Sequence, residues 1–399
     1  MNEERMMGMR KKYDDRITVP CLLLCIIIFL IFGVLPLVPS SVTKILRPTF
    51  AVVSLFTLHR YYPWGNLKWQ FALMAGYFFI FIINPVNREN VNSFIAYEMF
   101  SLFFLLGANT IWRKSEILLI FKTMVFSCTI NAVITLISNS FFTQGSNNQH
   151  VNFLRMVMNR NSLAFGIAPG VICGLFLYIY SPHSGKYRFQ RMMHLVSILT
   201  CSIALLMLAC RSAFYSALIG AGCLIWGKVR QSHIPAERII KRLILIMITV
   251  GGLSVVIRMT SSSGSARLFV VSGDNFDTGR NDLWEQARLL IRKKPIFGGG
   301  YDYWSSAGHQ IGTHNTVLTL MLAGGVFLGS LFILMMVPII MECAKTDLFL
   351  LMAFLIQSIL HSLTESGMDY FAYVPLMLAV ILQRSLKYQK NNLYRVFWD

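Results

Sequence analysis

Residues 279–329 read GRNDLWEQARLLIRKKPIFGGGYDYW, then a short spacer, then THNTVLTLMLAGGVFLG, and this stretch decides how the chain is interpreted. Its first half predicts an amphipathic helix, because five apolar residues recur with helical spacing: Leu283, Trp284, Ala287, Leu290 and Ile291. Pro295 and the glycine run 298–300 end that helix. His314 and Asn315 then open an apolar segment that we expect to be one uninterrupted helix. A basic surface helix, a glycine turn and a histidine therefore meet at a membrane boundary.

The amino-acid composition indicates that the whole chain is a membrane protein. Of its 399 residues, 55% are hydrophobic and 14% are charged, and the mean hydropathy is +0.57. A soluble domain carries about a quarter charged residues. The net charge of +18 is spread over the segments between apolar runs, where basic residues set topology, so no nucleic-acid partner is expected. The eight cysteines have neither metal nor disulfide spacing and are interpreted as packing residues.

The apolar runs predict an all-α integral membrane protein with about twelve transmembrane helices. We place these at 20–38, 43–58, 69–86, 93–112, 116–138, 161–181, 193–210, 212–227, 243–259, 315–341, 348–364 and 370–384. The predicted organisation is an N-terminal tail (1–19), nine spans (20–259), a long loop (260–313), three spans (314–384) and a C-terminal tail (385–399).

Basic residues concentrate in the N-terminal tail and in every second loop, which predicts that both termini are cytoplasmic. The long loop then lies outside, yet it carries several arginines and lysines against the usual bias. An anionic ligand at the outer face explains them most simply. For Lys293 and Lys294 a second interpretation is equally good, namely that their side chains extend to the lipid headgroups.

Three residues are candidates for chemistry. Arg211 lies between two apolar spans and is either an interface anchor or a fixed cation facing the cavity of the loop. Arg280 begins the loop helix and is either solvated or a clamp for a diphosphate. His314 lies at the start of a membrane helix, where the helix dipole favours the neutral imidazole that a general base requires.

Other residues are rivals or supporting contacts. His309 competes with His314 for the role of base, and intramembrane polar candidates are His361, Glu365 and Asp369. We expect further substrate contacts from five residues of the opening stretch: Arg288, Arg292, Trp284, Asn315 and Tyr301. The sequence has no recognisable metal-binding or ATP-binding motif, so neither a metal nor another cofactor is expected.

An Arg-Ser element between two spans, a GR…W…P…GGY loop and HN opening the next span together resemble the O-antigen ligase family. The family includes lipopolysaccharide O-antigen ligases (WaaL-like) and related polysaccharide polymerases (Wzy-like), and the resemblance covers roughly residues 200–340. Here the first element reads Cys210-Arg211-Ser212, where Ser-Arg-Gly is commoner in the family.

The resemblance implies a metal-independent, inverting glycosyltransferase of the GT-C type at the periplasmic face of the bacterial inner membrane. Its donor would be a glycan on undecaprenyl diphosphate, and Arg211, Arg280 and His314 would surround the diphosphate and the acceptor. The acceptor would be lipid A-core for a ligase, or another lipid-linked glycan for a polymerase. A transporter is a third hypothesis, less favoured because we find no internal repeat and because the polar residues concentrate at one outer face.

Overall fold

The computed structural model describes residues 17–34, 68–85, 87–110, 112–137, 150–153, 156–181, 185–208, 210–231, 280–309, 312–365 and 370–388. The helices are α1 (Val19–Phe29, continued by a π-helical segment Leu30–Val34), α2 (Lys68–Ile83), α3 (Arg88–Asn109), α4 (Lys114–Ile137), α5 (Arg160–Tyr180), α6 (Arg188–Leu208, after a 3₁₀ turn Gly185–Tyr187), α7 (Arg211–Gln231), α8 (Arg280–Lys293), α9 (Tyr303–Ser306), α10 (Thr316–Thr364) and α11 (Tyr370–Tyr388).

The structure confirms the helical membrane architecture. Among the described residues, six helices are long and apolar enough to cross a membrane, and three shorter apolar helices accompany them. The predicted spans 43–58 and 243–259 lie outside the described residues, so the number twelve stays a prediction. One feature was not predicted: strands β1 (His150–Phe153) and β2 (Met156–Asn159) pair as an antiparallel hairpin directly before α5.

Helix α10 folds back on itself. A straight helix of its 49 residues would extend about 74 Å. Instead, the hydroxyl of Thr316, its first residue, donates a hydrogen bond to the carbonyl oxygen of Glu365, just past its end, at 3.2 Å. The chain reverses at Asp347, whose backbone is extended (φ −155°, ψ 94°). The predicted spans 315–341 and 348–364 are therefore two arms of a hairpin, here called the first arm and the second arm.

Helices α5 and α7 both run antiparallel to the second arm. The ring of Phe165 lies 4.5 Å from that of His361, while Phe176, further along α5, packs against Phe354. Gly220 of α7 lies beside Ala353, and Gly227 beside Phe349. The first residues of α5 and α7 therefore lie at the same end of the bundle as Glu365 and Thr316, an end that we call the HN end.

The opposite end of the bundle carries residues that the sequence predicts to be cytoplasmic. The Arg384 guanidinium donates to the Ala108 carbonyl at 2.7 Å and to Asn109 at 3.0 Å. Lys345 pairs with Glu342 beside the reversal of α10, at 3.7 Å. The grouping of charges at two ends of the bundle agrees with the predicted alternation of the loops.

The first arm is broken, which corrects the prediction of an uninterrupted helix after Asn315. Gly324 (φ −132°, ψ 19°) and Gly325 (φ 61°, ψ −159°) leave helical geometry. The freed carbonyls of Leu322 and Ala323 accept hydrogen bonds from the amides of Gly299 and Gly300, both at 2.9 Å.

The same loop also forms hydrogen bonds with the backbone that follows the break. The amides of Val326 and Phe327 donate to the carbonyls of Pro295 and Ile296, at 2.8 and 3.2 Å. Backbone groups freed within a membrane helix must find partners, because apolar surroundings offer none. The loop therefore replaces the helical hydrogen bonds that the two glycines interrupt, and we call these four bonds the loop–helix ladder.

A substitution at Gly325 tests the importance of the loop–helix ladder. The positive φ at this position favours glycine, and a Cβ atom there would lie 2.2 Å from the carbonyl oxygen of Ile296. We expect Gly325→Ala to lower the free energy of unfolding by about 2–4 kcal/mol, measured by thermal unfolding in detergent. Gly222→Ala is the matched control, because Gly222 has open space around its Cβ position, and it should change stability by less than about 1 kcal/mol. Equal melting temperatures for both variants would contradict this account of the ladder.

Candidate active site

The predicted amphipathic helix exists as α8 and packs on the first arm. Ala287 and Ile291 are buried against Leu322, with partly buried residues around them. Arg280 precedes Ala287 by seven residues, or two helical turns, so both lie on the same face of α8. The side chain of Arg280 is partly exposed.

The segment Thr313–Asn315 is fixed by α8 and by its own helix. The indole nitrogen of Trp284 donates to the carbonyl of Thr313 at 2.8 Å. Asn315 is the N-cap of α10, and its side-chain oxygen accepts from the Leu318 amide at 3.1 Å. Trp284 lies one helical turn after Arg280, so these contacts also bring the start of α8 close to His314.

His314 has a left-handed backbone, with φ of 52°. Non-glycine residues seldom adopt this conformation, and they keep it only where surrounding contacts determine it. The hydrogen bonds of Thr313 and Asn315 on either side supply that constraint. In this conformation the imidazole lies beside the end of the second arm.

The imidazole meets a carboxylate there. His314 Nδ1 lies 3.4 Å from Glu365 Oε2, and the two side chains are 24% and 17% exposed. The other oxygen of Glu365 accepts a hydrogen bond from Asn161 Nδ2 at 2.9 Å. The sequence places Glu365 one helical turn after His361, and in the structure the Glu365 amide donates a backbone hydrogen bond to the His361 carbonyl at 2.8 Å, while its carboxylate contacts His314. The α10 hairpin explains the contact with His314, because it brings positions 314 and 365 together.

Arg211 is the first residue of α7 and lies at the HN end. Gly220 lies beside Ala353, and counting nine residues back along α7 and nine forward along the second arm places Arg211 about level with Ser362. The side chain of Arg211 is partly exposed. The N-termini of α5, α7 and α10 all reach this end, and the N-terminal end of a helix carries partial positive charge. These helix N-termini and Arg211 therefore bring positive charge to the end of the bundle at which Glu365 lies.

The remaining arginines of α8 lie on a different surface. A groove of about 390 Å³ is lined by Asn281, Trp284, Glu285, Arg288, Leu289 and Arg292. Arg288 and Arg292 are exposed there, away from the buried Ala287 face. Only Trp284 belongs both to this groove and to the contacts that fix Thr313. The structure therefore separates Arg280 from Arg288 and Arg292.

Tyr301 and its neighbours anchor the loop. The Tyr301 hydroxyl donates to the carbonyl of Tyr77 in α2 at 2.8 Å, and burial raises the pKa of this phenol. The Asp302 amide donates to Asn90 in α3 at 3.0 Å, and Asn87 donates to the Asp302 carboxylate. The hydroxyl of Tyr301 is engaged in this anchoring contact, so we expect a substrate to meet Tyr301 through its ring.

The other candidates have separate surroundings. The ring of His309, the rival base, stacks on Trp304 with centroids 3.9 Å apart. Lys294 lies over the ring of Tyr303 at 5.2 Å, while Lys293 is exposed. Asp369 lies outside the described residues. Within the described ranges, no group of three or more His, Cys, Asp or Glu side chains is placed to hold a metal ion.

Residues 195–333 match the family model described as O-antigen ligase, over about a third of the chain. Over this segment the chain is similar to the O-antigen ligase family. The match confirms the resemblance found in the sequence, and it supports assigning the chain to the O-antigen ligase/polymerase family. No curated protein matches the chain significantly.

The matched segment contains Arg211, Arg280 and His314, together with α8 and the first part of α10. Family and helices together describe a multi-pass membrane protein of polysaccharide biosynthesis with a glycosyltransferase-like activity. Glu365 and Asn161 lie outside the matched residues.

The Trp284 hydrogen bond generates a prediction about the site. Trp284→Phe keeps an aromatic ring but removes the donor to Thr313, so the backbone of His314 loses one constraint. We expect activity to fall about fivefold, which corresponds to the loss of one hydrogen bond of about 1 kcal/mol. Trp226→Phe, at an exposed position of α7, is the control and should leave activity unchanged. Full activity of Trp284→Phe would show that this bond does not fix the site.

Proposed function

We propose that the protein is a glycosyltransferase that moves a glycan from undecaprenyl diphosphate to an acceptor hydroxyl at the periplasmic face of the bacterial inner membrane. The observation that carries the proposal is the placement of His314, the start of α8 with Arg280, and the start of α7 with Arg211 at one end of the bundle. All three residues lie in the segment that matches the O-antigen ligase family.

The reaction needs a base and a stabilised leaving group. The acceptor hydroxyl gives its proton to His314, and its oxygen forms a bond to the anomeric carbon of the donor. The bond from that carbon to the diphosphate oxygen breaks, and the electron pair leaves with the lipid diphosphate. Attack from the face opposite the leaving group inverts the configuration of the anomeric carbon.

Cations at the HN end suit this leaving group. Negative charge grows on the diphosphate as the glycosidic bond breaks, and fixed donors aimed at that charge lower the barrier. Arg280 and Arg211 supply planar guanidinium groups whose geometry matches phosphate oxygens. In this proposal the two arginines take the role that a metal ion has in other phosphate sites, and the apolar helices accommodate the polyprenyl chain.

The α8 groove and its neighbours are proposed to contact the glycans. Trp284 offers an aromatic face, and Arg288 and Arg292 offer donors for hydroxyl or acidic groups. The side-chain oxygen of Asn315 caps α10, so its amide nitrogen is the group that we propose as a contact to the glycan. Tyr301 is proposed as a ring contact below the loop.

The preferred acceptor is lipid A-core, which makes the protein an O-antigen ligase, and a repeat-unit polymerase is the alternative with the same donor. Complementation distinguishes them in two deletion hosts, one lacking ligase and one lacking polymerase. Polysaccharide on lipid A-core restored only in the ligase-deficient host supports the ligase. Rescue of chain length only in the polymerase-deficient host supports the polymerase, and rescue in neither host contradicts the proposed function.

The catalytic assignment is tested in whichever host is rescued. We expect His314→Ala to reduce transfer about 10²- to 10⁴-fold, the range typical for loss of a general base. Arg280→Lys and Arg211→Lys keep the charge but lose the planar fork, and we expect each to reduce transfer about tenfold or more. His309→Ala is the control for the rival histidine and should retain activity. Wild-type polysaccharide from stably expressed His314→Ala would refute the assignment.

The groove is tested separately. Arg288→Gln combined with Arg292→Gln should raise the KM for a glycan substrate several-fold with little change in kcat, because the pair lies apart from the reacting atoms. Lys293→Gln is the control, since this exposed lysine neighbours the groove without lining it. An unchanged KM in the double variant, measured with purified protein in nanodiscs, would remove the groove from the substrate site.

A further inference from the structure

Glu365 faces the candidate base from outside the family-matched segment. Its Oε2 lies 3.4 Å from His314 Nδ1, and its Oε1 accepts from Asn161 Nδ2 at 2.9 Å. Its backbone is held as well, because its amide donates to the His361 carbonyl and its carbonyl accepts from Thr316. Three helical elements, the start of α5 and both arms of α10, therefore fix this one carboxylate.

The contact selects a tautomer of His314. An ionised carboxylate only accepts hydrogen bonds, so Nδ1 must carry the proton that points at Glu365. The lone pair of the neutral ring is then on Nε2, and this nitrogen is the one that can take a proton from a hydroxyl. The assignment follows from the hydrogen-bond partner, as tautomer assignments do.

Asn161 gives Glu365 its orientation. Without a donor at Oε1, the carboxylate of Glu365 could rotate about its last side-chain bond and move Oε2 away from His314. The amide of Asn161 removes that freedom from the side opposite the imidazole. Asn161 follows Arg160 at the first turn of α5, a position that the α5–second arm packing brings to the HN end.

We propose that Glu365 positions His314 and that Asn161 positions Glu365, forming a relay that sets the active tautomer and stabilises the imidazolium. The inference rests on the proposed function of His314 as general base. When the acceptor hydroxyl transfers its proton to Nε2, the ring becomes positively charged while Nδ1–H remains on the ring. Glu365 stays ionised and balances that charge, as the carboxylate does in serine hydrolase triads.

A merely structural ion pair predicts a different outcome. With a purely structural role, removing the charge could change the stability of this partly buried site but would leave the kinetics of transfer by the folded protein unchanged. A positioning role instead changes kcat, because the base acts in the transition state while substrate binding is untouched. It also changes the protonation pattern of the His314 ring.

The experiment uses the full-length protein in nanodiscs with a lipid-diphosphate-linked glycan donor. We expect Glu365→Gln and Asn161→Ala to lower kcat about 10- to 100-fold, the usual range for partners that orient a functional histidine, with KM changed less than threefold. Glu365→Asp should retain more activity than Glu365→Gln, since it keeps the charge. Glu342→Gln is the matched control, because Glu342 lies on the same helix at the opposite end of the bundle.

A second readout does not depend on turnover. In protein labelled with ¹⁵N-histidine, the ring signal that disappears in His314→Ala should report a proton on Nδ1 in the wild type, and this signal should change in Glu365→Gln but not in Glu342→Gln. Wild-type kcat for Glu365→Gln, or an unaltered His314 ring signal in that variant, overturns the relay.

The two readouts separate failure of the relay from failure of the proposed function. If His314→Ala is inactive while Glu365→Gln is fully active, His314 keeps its role and the relay is wrong. If the wild type transfers no glycan, the proposed function is wrong, and the ¹⁵N spectra still decide whether Glu365 sets the tautomer of His314.

Discussion

The loop–helix ladder is the constraint on which the rest of the HN end depends. Two glycines interrupt the first arm within an apolar segment, where unpaired backbone groups would cost several kcal/mol each. The loop after α8 supplies the missing donors and acceptors. The break and the loop therefore require each other, because neither backbone is satisfied without its partner. Through these hydrogen bonds the loop completes the backbone of the interrupted helix. The position of α8, which directly precedes the loop, is fixed as a result.

Three further sets of contacts fix the position of α8. Ala287 and Ile291 pack on the first arm, Trp284 bonds to Thr313, and the Tyr301–Asp302 turn docks on α2 and α3. Such multiple attachment positions charged groups before a substrate arrives, which is the condition for electrostatic stabilisation of a transition state. The contacts described here hold the backbone of α8 and of the loop that follows it, so the helix that carries Arg280 is in place before a substrate binds.

Local sequence patterns predicted the parts of the site that local chemistry determines. Apolar spacing predicted α8, the Pro295–Gly300 segment predicted its end, and the HN pair predicted the start of α10, where Asn315 is indeed the cap. The break at Gly324–Gly325 escaped prediction because two glycines in an apolar run are compatible with a continuous helix. Only the partners supplied by the loop make the broken form favourable. The contact between Glu365 and His314 was not predicted for a related reason. It depends on how α5 packs against the two arms of α10.

The relay also resolves a conflict within the proposed site. Arginines and helix N-termini stabilise a departing diphosphate, but the same positive field raises the free energy of an imidazolium formed beside them. A general base placed among cations therefore needs a compensating negative charge on its own side of the reaction. Glu365 supplies that charge on the Nδ1 side of His314, leaving Nε2 as the nitrogen to meet the acceptor. In the proposed site the two demands are opposite, because negative charge develops at the leaving group and positive charge at the base. The arginines would meet the first demand, and Glu365, in contact with His314, would meet the second.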